Sequence, residues 1–172
     1  MKKVLLCVTY GFLSAFLLIG TLAAAQPLPA PSGDVILTVR GDLDVTNADD
    51  AAEFDREMLR DLGLRELVTG TIWTNGQLTF TGVPLKTLLD RLGVTGGTLR
   101  ANALNGYSVD IPYSDAADDL ALLAIDRDGA PMQVRDKGPI WVVYPFDMDA
   151  KFRTEIYHTR SIWQLNSIDI LP

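Results

Sequence analysis

Lys137 to Leu165 reads KGPIWVVYPFDMDAKFRTEIYHTRSIWQL. The apolar run Ile140 to Tyr144 has the length of a buried strand, and Pro145, which lacks a backbone donor, should stop its ladder. A charged loop then leads to a second aromatic-rich run that ends at Trp163, Gln164 and Leu165. Two strands joined by one loop are the simplest expectation. A strand end is where a rigid scaffold displays its working groups. Here Tyr144, Phe146, Asp147, Lys151, Arg153, Tyr157, His158, Arg160 and Trp163 offer flat faces for stacking beside charged donors and acceptors. A flat polar heterocycle suits that set. An amphipathic surface hairpin, with aromatics inward and charges solvated, has the same composition.

At the other end of the chain, Met1 to Ala25 has the form of a secretory signal. Lys2 and Lys3 precede an apolar stretch from Val4 to about Ile19, and Ala23, Ala24 and Ala25 supply the small residues of a cleavage site before Gln26. The apolar stretch is long enough for an uncleaved anchor to stand as the alternative. Cys7 lies too near the start for a lipoprotein site. The expected destination is the periplasm or the cell exterior.

Cleavage at that point leaves 147 residues, enough for one domain with a sizeable core. The signal takes two lysines and no acid with it, so 13 basic side chains face 22 acidic ones, a net charge of −9. Such a balance disfavours nucleic acid and anionic membrane surfaces as partners. The only cysteine, Cys7, leaves with the signal, which removes disulfides, thiolate ligands and cysteine nucleophiles from the domain. The single histidine, His158, excludes sites that need two or three imidazoles.

Gln26 to Gly33 carries three prolines and reads as an extended tether, with the domain itself at residues 34–172. Val35 to Val39 is β-branched and alternating, hence a strand. Asn47, Asp49 and Asp50 offer capping oxygens to a helix whose apolar stripe is Phe54, Met58, Leu59 and Leu62, ended by Gly63. Glu66 to Trp73 and Leu78 to Phe80 are extended around Asn75-Gly76, which puts Trp73 beside a turn. Pro84 opens a short helix with Leu85, Leu88, Leu89 and Leu92 inward and Gly93 at its end. Thr98 to Leu104 and Tyr107 to Ile111 flank Asn105-Gly106 as a hairpin. Pro112 to Asp119 is a polar connection, and Leu120 to Asp126 a strand leading to Asp128-Gly129. Several strands and a few short helices without regular alternation predict an α+β single domain with a mixed, largely antiparallel sheet.

No glycine-rich phosphate loop, nucleophile elbow, zinc helix motif or calcium loop occurs. Asp147 and Asp149 are spaced to act as paired carboxylates, for acid and base work or a divalent cation, or to be a solvated turn. Trp73, Tyr107, Tyr144 and Trp163 fall at or near strand ends, where aromatic side chains line a slot for a planar ligand or belong to the core. Arg160 with Trp163 and Gln164 could read a heterocycle's edge and face.

The series Trp73 with Asn75-Gly76, Phe80-Thr81-Gly82-Val83-Pro84-Leu85 with Leu88-Leu89, Leu104-Asn105-Gly106-Tyr107-Ser108-Val109, Asp128-Gly129 and Lys137-Gly138-Pro139-Ile140-Trp141 resembles the oxidoreductase molybdopterin-binding domain of the sulfite oxidase type. The resemblance implies that fold, and a molybdenum held by a cysteine on the segment leading to the tryptophan-like position. Here that segment, Val68-Thr69-Gly70-Thr71-Ile72-Trp73, contains no sulfur, and a hydroxyl is a poor substitute for a soft thiolate. With Arg160-Ser161-Ile162-Trp163-Gln164-Leu165 near its end, the chain is similar to small exported members lacking the cysteine. Some of those are periplasmic pterin-binding proteins that regulate membrane enzymes of cyclic di-GMP metabolism.

The resemblance thus implies a pterin slot without molybdenum, a non-catalytic ligand-responsive role, and a partner in the periplasmic domain of a membrane sensor or cyclic di-GMP enzyme. Trp73 and Trp163 would wall the ring, with Tyr144 beside them. Asn105, Tyr107 and Arg160 would supply hydrogen bonds, and Lys137 or Asp147 would meet the polar ring edge. The alternative is a molybdenum cofactor-dependent oxidoreductase that lacks the cysteine ligand.

Overall fold

The computed structural model describes residues 26–172, so the expected signal segment Met1–Ala25 lies outside the described residues. Among the described residues no helix is long and apolar enough to cross a membrane. The elements run β1 (Leu37–Arg40), β2 (Ala51–Phe54), α1 (Arg56–Asp61), β3 (Arg65–Gly70), β4 (Gln77–Pro84), α2 (Leu85–Arg91), β5 (Thr98–Ala103) and β6 (Ser108–Pro112). They continue with α3 (Tyr113–Ala117), β7 (Leu122–Arg127), β8 (Ala130–Pro131), β9 (Trp141–Val143), α4 (Glu155–Arg160) and β10 (Leu165–Leu171).

The strands form two sheets. One has the order β2-β1-β10-β5-β6, and its β1–β10 pair is the parallel one. The other is antiparallel, β3-β4-β7, with β8 and β9 pairing in turn along β7. The chain is therefore an α+β single domain with mixed, largely antiparallel sheets and short helices. Between these elements lies one core that includes Leu37, Phe54, Phe80, Leu88, Leu123 and Trp141, each fully buried.

Local signals placed α2 and the β5–β6 hairpin. Pro84 caps α2 one residue ahead of the first helical position, its fixed φ of −55° leading the chain in, and Gly93 leaves it at φ 77°. In the hairpin Gly106 alone takes positive φ, at 83°, while Asn105 instead accepts from the Tyr107 N–H at 3.0 Å. The close approach of β4 to β7 needs Gly82, because a Cβ there would lie 2.0 Å from the Leu123 carbonyl oxygen.

Three expectations are corrected. Gln26–Gly33 is not a free tether: Leu28 is buried, and the backbone N–H groups of Ser32 and Gly33 both donate to Asp55 Oδ2 at 2.8 Å. The segment after Asn47 begins as β2, not as helix. The Asn47 amide acts as a surrogate strand edge, donating to Glu53 O at 2.8 Å and accepting from Glu53 N at 2.7 Å, and the helix waits for Asp55 to cap it through Met58 N–H. The aromatic run before Trp163 is α4, not a strand. Glu155 lies in its first turn and His158 and Arg160 in its last, as the helix dipole favours. Tyr157 packs edge-on against Tyr144 and Phe152, each with ring centroids 5.0 Å away.

Candidate functional site

Trp73 sits in the loop between β3 and β4, held by its own turn. Its N–H donates to Thr71 Oγ1 at 3.1 Å, and the Thr71 and Thr74 hydroxyls share a 2.8 Å hydrogen bond. From there the indole reaches four rings: Trp163 at 5.4 Å, His158 at 5.7 Å, Trp141 at 5.9 Å and Phe146 at 6.5 Å between centroids, all edge to face. Trp141 is the buried floor of this cluster, packed on Phe80 and donating its indole N–H to Ser161 O at 3.1 Å. Trp73 and Trp163 stay half exposed above it.

Beside these two indoles is a hollow of about 340 Å³ lined by Trp73, Asn105, Tyr107, His158, Thr159, Ser161, Ile162 and Trp163. The β5–β6 turn brings Asn105 and Tyr107 to it, and the Tyr107 hydroxyl donates to Thr159 O at 3.3 Å, tying that turn to α4. His158 also borders a more open hollow of about 450 Å³, whose lining includes Gly70, Thr71, Gln77, Phe146, Asp147 and Arg153. One imidazole thus stands between the two.

The sequence-predicted residues divide accordingly. Trp73, Asn105, Tyr107 and Trp163 meet in the first hollow and Asp147 lies in the second. The Asp147 carboxylate accepts from Gly70 N–H at 2.7 Å and Gln77 Nε2 at 3.0 Å, and those bonds, the first foremost, hold its carboxyl below the usual range. Asp149 instead accepts from Lys151 N–H at 2.9 Å, so the two aspartates do not form a pair. Lys137 lines neither hollow. Its Nζ stands 3.7 Å from the Trp163 ring centre, 5.2 Å from that of Trp141 and 6.0 Å from that of Trp73, and burial lowers its pKa.

Tyr144 and Arg160 also line neither hollow. Tyr144 is fully buried and donates its hydroxyl to Asp115 Oδ2 at 2.9 Å, while Arg160 pairs with the same carboxylate at 3.1 Å. His158, named among the groups of the Tyr144–Trp163 stretch but given no role toward the ring, is the residue that the structure adds to the site. A lone histidine carries no spacing signal, and its place follows from Trp73 and Phe146 packing against it.

The family model for the oxidoreductase molybdopterin binding domain matches residues 49–152. The chain belongs to that family. Among solved structures it is similar to the sulfane dehydrogenase SoxCD from Paracoccus pantotrophus, with a TM-score of 0.56 and 18% identity over 78% of this chain and 37% of that one. That likeness shows the fold, and this chain spans little more than a third of that relative. No curated protein matches the sequence closely.

Family membership suggests a pterin-type cofactor, and the first hollow suits the flat ring: two indole walls, an amide, a phenol and hydroxyls. A metal finds no comparable set. On Val68–Trp73 the side-chain donors are hydroxyls; Thr69 is fully buried, accepting from Asp147 N–H at 3.2 Å, and Thr71 is engaged by Thr74. Among the described residues no three His, Cys, Asp or Glu side chains gather as a metal site. The residues present give the ring a lining, and on Val68–Trp73 they offer a metal hydroxyls in place of a soft thiolate.

Proposed function

We propose that this domain is an exported, periplasmic pterin-binding module that reports its bound state to the periplasmic domain of a membrane signalling partner of the cyclic di-GMP type. The observation that carries the reading is the pair of indoles, Trp73 and Trp163, that wall one side of a hollow whose other lining residues, among them Asn105, Tyr107, His158 and Ile162, include no carboxylate. A pterin is flat, with donors and acceptors around its edge, and such a lining meets both properties. The partner rests on the resemblance to small exported members of the family.

The test is direct. Purified domain mixed with reduced pterins should gain thermal stability and alter the bound ring's fluorescence, and the absence of both effects defeats the proposal. A partner's periplasmic domain should then bind the loaded form more tightly than the empty one.

The family match equally supports a second reading, a cofactor-dependent oxidoreductase domain. Molybdenum held by the pterin's dithiolene alone needs no protein thiolate. Stoichiometric molybdenum in protein isolated from its native host would favour that reading over the regulator.

A further inference from the structure

No carboxylate lines the ring hollow, and a lysine ammonium that is not part of its lining stands against one of its walls. Lys137 Nζ lies 3.7 Å from the centre of the Trp163 ring, a distance at which it must be over a face and not at an edge. Trp141 and Trp73 close around the same ammonium at 5.2 and 6.0 Å. The lysine is held there by its backbone: residue 137 adopts φ 75°, unusual for a side chain with a Cβ, and its carbonyl accepts from Gln164 N–H at 3.0 Å. No carboxylate among the described residues pairs with it.

The charges nearby do not cancel it. Arg160 and Asp115 neutralise one another, and Asp147 lies across His158 in the other hollow, bound to Gly70 and Gln77. The hollow beside Trp163 therefore has an uncompensated cation behind its wall and no acidic side chain in its lining. One face of the indole is taken. A ring entering the hollow meets the other face or the edge, and sits behind an indole whose π density is already drawn toward the ammonium.

We infer that Lys137 is a specificity-determining residue that restricts the Trp73–Trp163 hollow to rings uncharged at neutral pH and turns away cationic heterocycles of the same shape. This rests on the reading of the hollow as a ring-binding site and narrows its ligand class. A bare tryptophan wall would do the opposite, since an indole face attracts cations. With Lys137 behind it, a stacked cation would lie roughly 7 Å from the ammonium, close enough for repulsion to lower affinity on the order of tenfold.

The experiment compares two probes of equal size, a neutral pterin methylated on carbon and an N-methylated pterin that is permanently cationic, by calorimetric titration of the wild type, Lys137→Met and Lys137→Arg. The wild type should favour the neutral ring about tenfold; Lys137→Met should reduce that preference to within about twofold, and Lys137→Arg should keep it. A merely structural lysine predicts a different pattern, with both probes weakened alike in Lys137→Met and the ratio unmoved; that result overturns the inference, as does a wild type that does not discriminate. Failure of the wild type to bind either probe overturns the reading of the hollow itself, which is a separate and recognisable outcome.

Discussion

Tyr144 and Asp115 face each other across the interior, the phenol donating to the carboxylate at 2.9 Å, with Arg160 completing the group at 3.1 Å from the same oxygen. Burial, then the Asp115 charge, push the Tyr144 hydroxyl well above its ordinary pKa, so it remains a donor throughout the physiological range. The three residues join α3, the end of β9 and α4.

Arg160→Met should accordingly act on stability more than on the hollow. Removing one partner from a buried carboxylate is strongly destabilising, and because Arg160 is partly exposed the expected loss is about 2–3 kcal/mol in urea unfolding. Tyr144→Phe should cost about 1–2 kcal/mol. Pterin affinity of the folded Arg160→Met protein should stay within about twofold of wild type. A tenfold loss of affinity at unchanged stability would instead return Arg160 to the ligand.

Acid should weaken the fold through Asp55. The Asp55 carboxyl is held down to about 2, from an ordinary 3.8, by the N–H of Met58 and then that of Gly33, with Ser32 adding to them. Its folded-state pKa is depressed, so its contribution is present above pH 3.8 and disappears as pH falls through 2. The urea midpoint of wild type should drop over that window, and Asp55→Ala should begin lower and fall less steeply. Parallel curves for the two proteins would show that the carboxylate does not carry this dependence.

Gly82→Ala tests the junction of β4 and β7. The added methyl would meet backbone, the Leu123 carbonyl oxygen and Ala124 Cα, and neither can rotate away. A loss of about 3 kcal/mol, or failure to accumulate folded protein, is expected. Wild-type stability in this variant would mean that the two strands separate more readily than their register implies.

The parts of this fold that could be read from sequence are those with local causes. Pro84 and Gly93 mark α2, and Asn105-Gly106 marks a hairpin, because proline fixes its own φ and glycine reaches positive φ without a Cβ clash. By contrast, β2 depends on the Asn47 amide reaching Glu53 and on β1 lying alongside, and nothing between residues 47 and 54 announces either. The α4 segment is rich in β-branched and aromatic residues that favour a strand, and tertiary packing of Tyr157 on Tyr144 and Phe152 overrides that preference. In the site, Trp73 and Trp163 were legible as aromatics at element ends. The engagement of Arg160 by Asp115 was not, because 45 residues separate them and they meet only once α3 and α4 both pack on β6.

Trp73 gives the sharpest test of the ring hollow because its size and its aromaticity can be separated. It touches four aromatic neighbours edge-on, among them the His158 that borders both hollows, so any truncation disturbs packing. Trp73→Phe keeps a π face at the wall, whereas Trp73→Leu keeps apolar bulk without one. Both should lower thermal stability by similar amounts, since both leave space against Trp141. Stacking of a heterocycle on an aromatic side chain is worth about 1–3 kcal/mol, so Trp73→Leu should weaken pterin binding by about tenfold or more and Trp73→Phe by about threefold or less. Calorimetric titration of reduced pterin against the two variants reads that difference directly. Equal weakening in both would mean that the indole only fills volume, and no weakening in either would place the ring somewhere other than against Trp73.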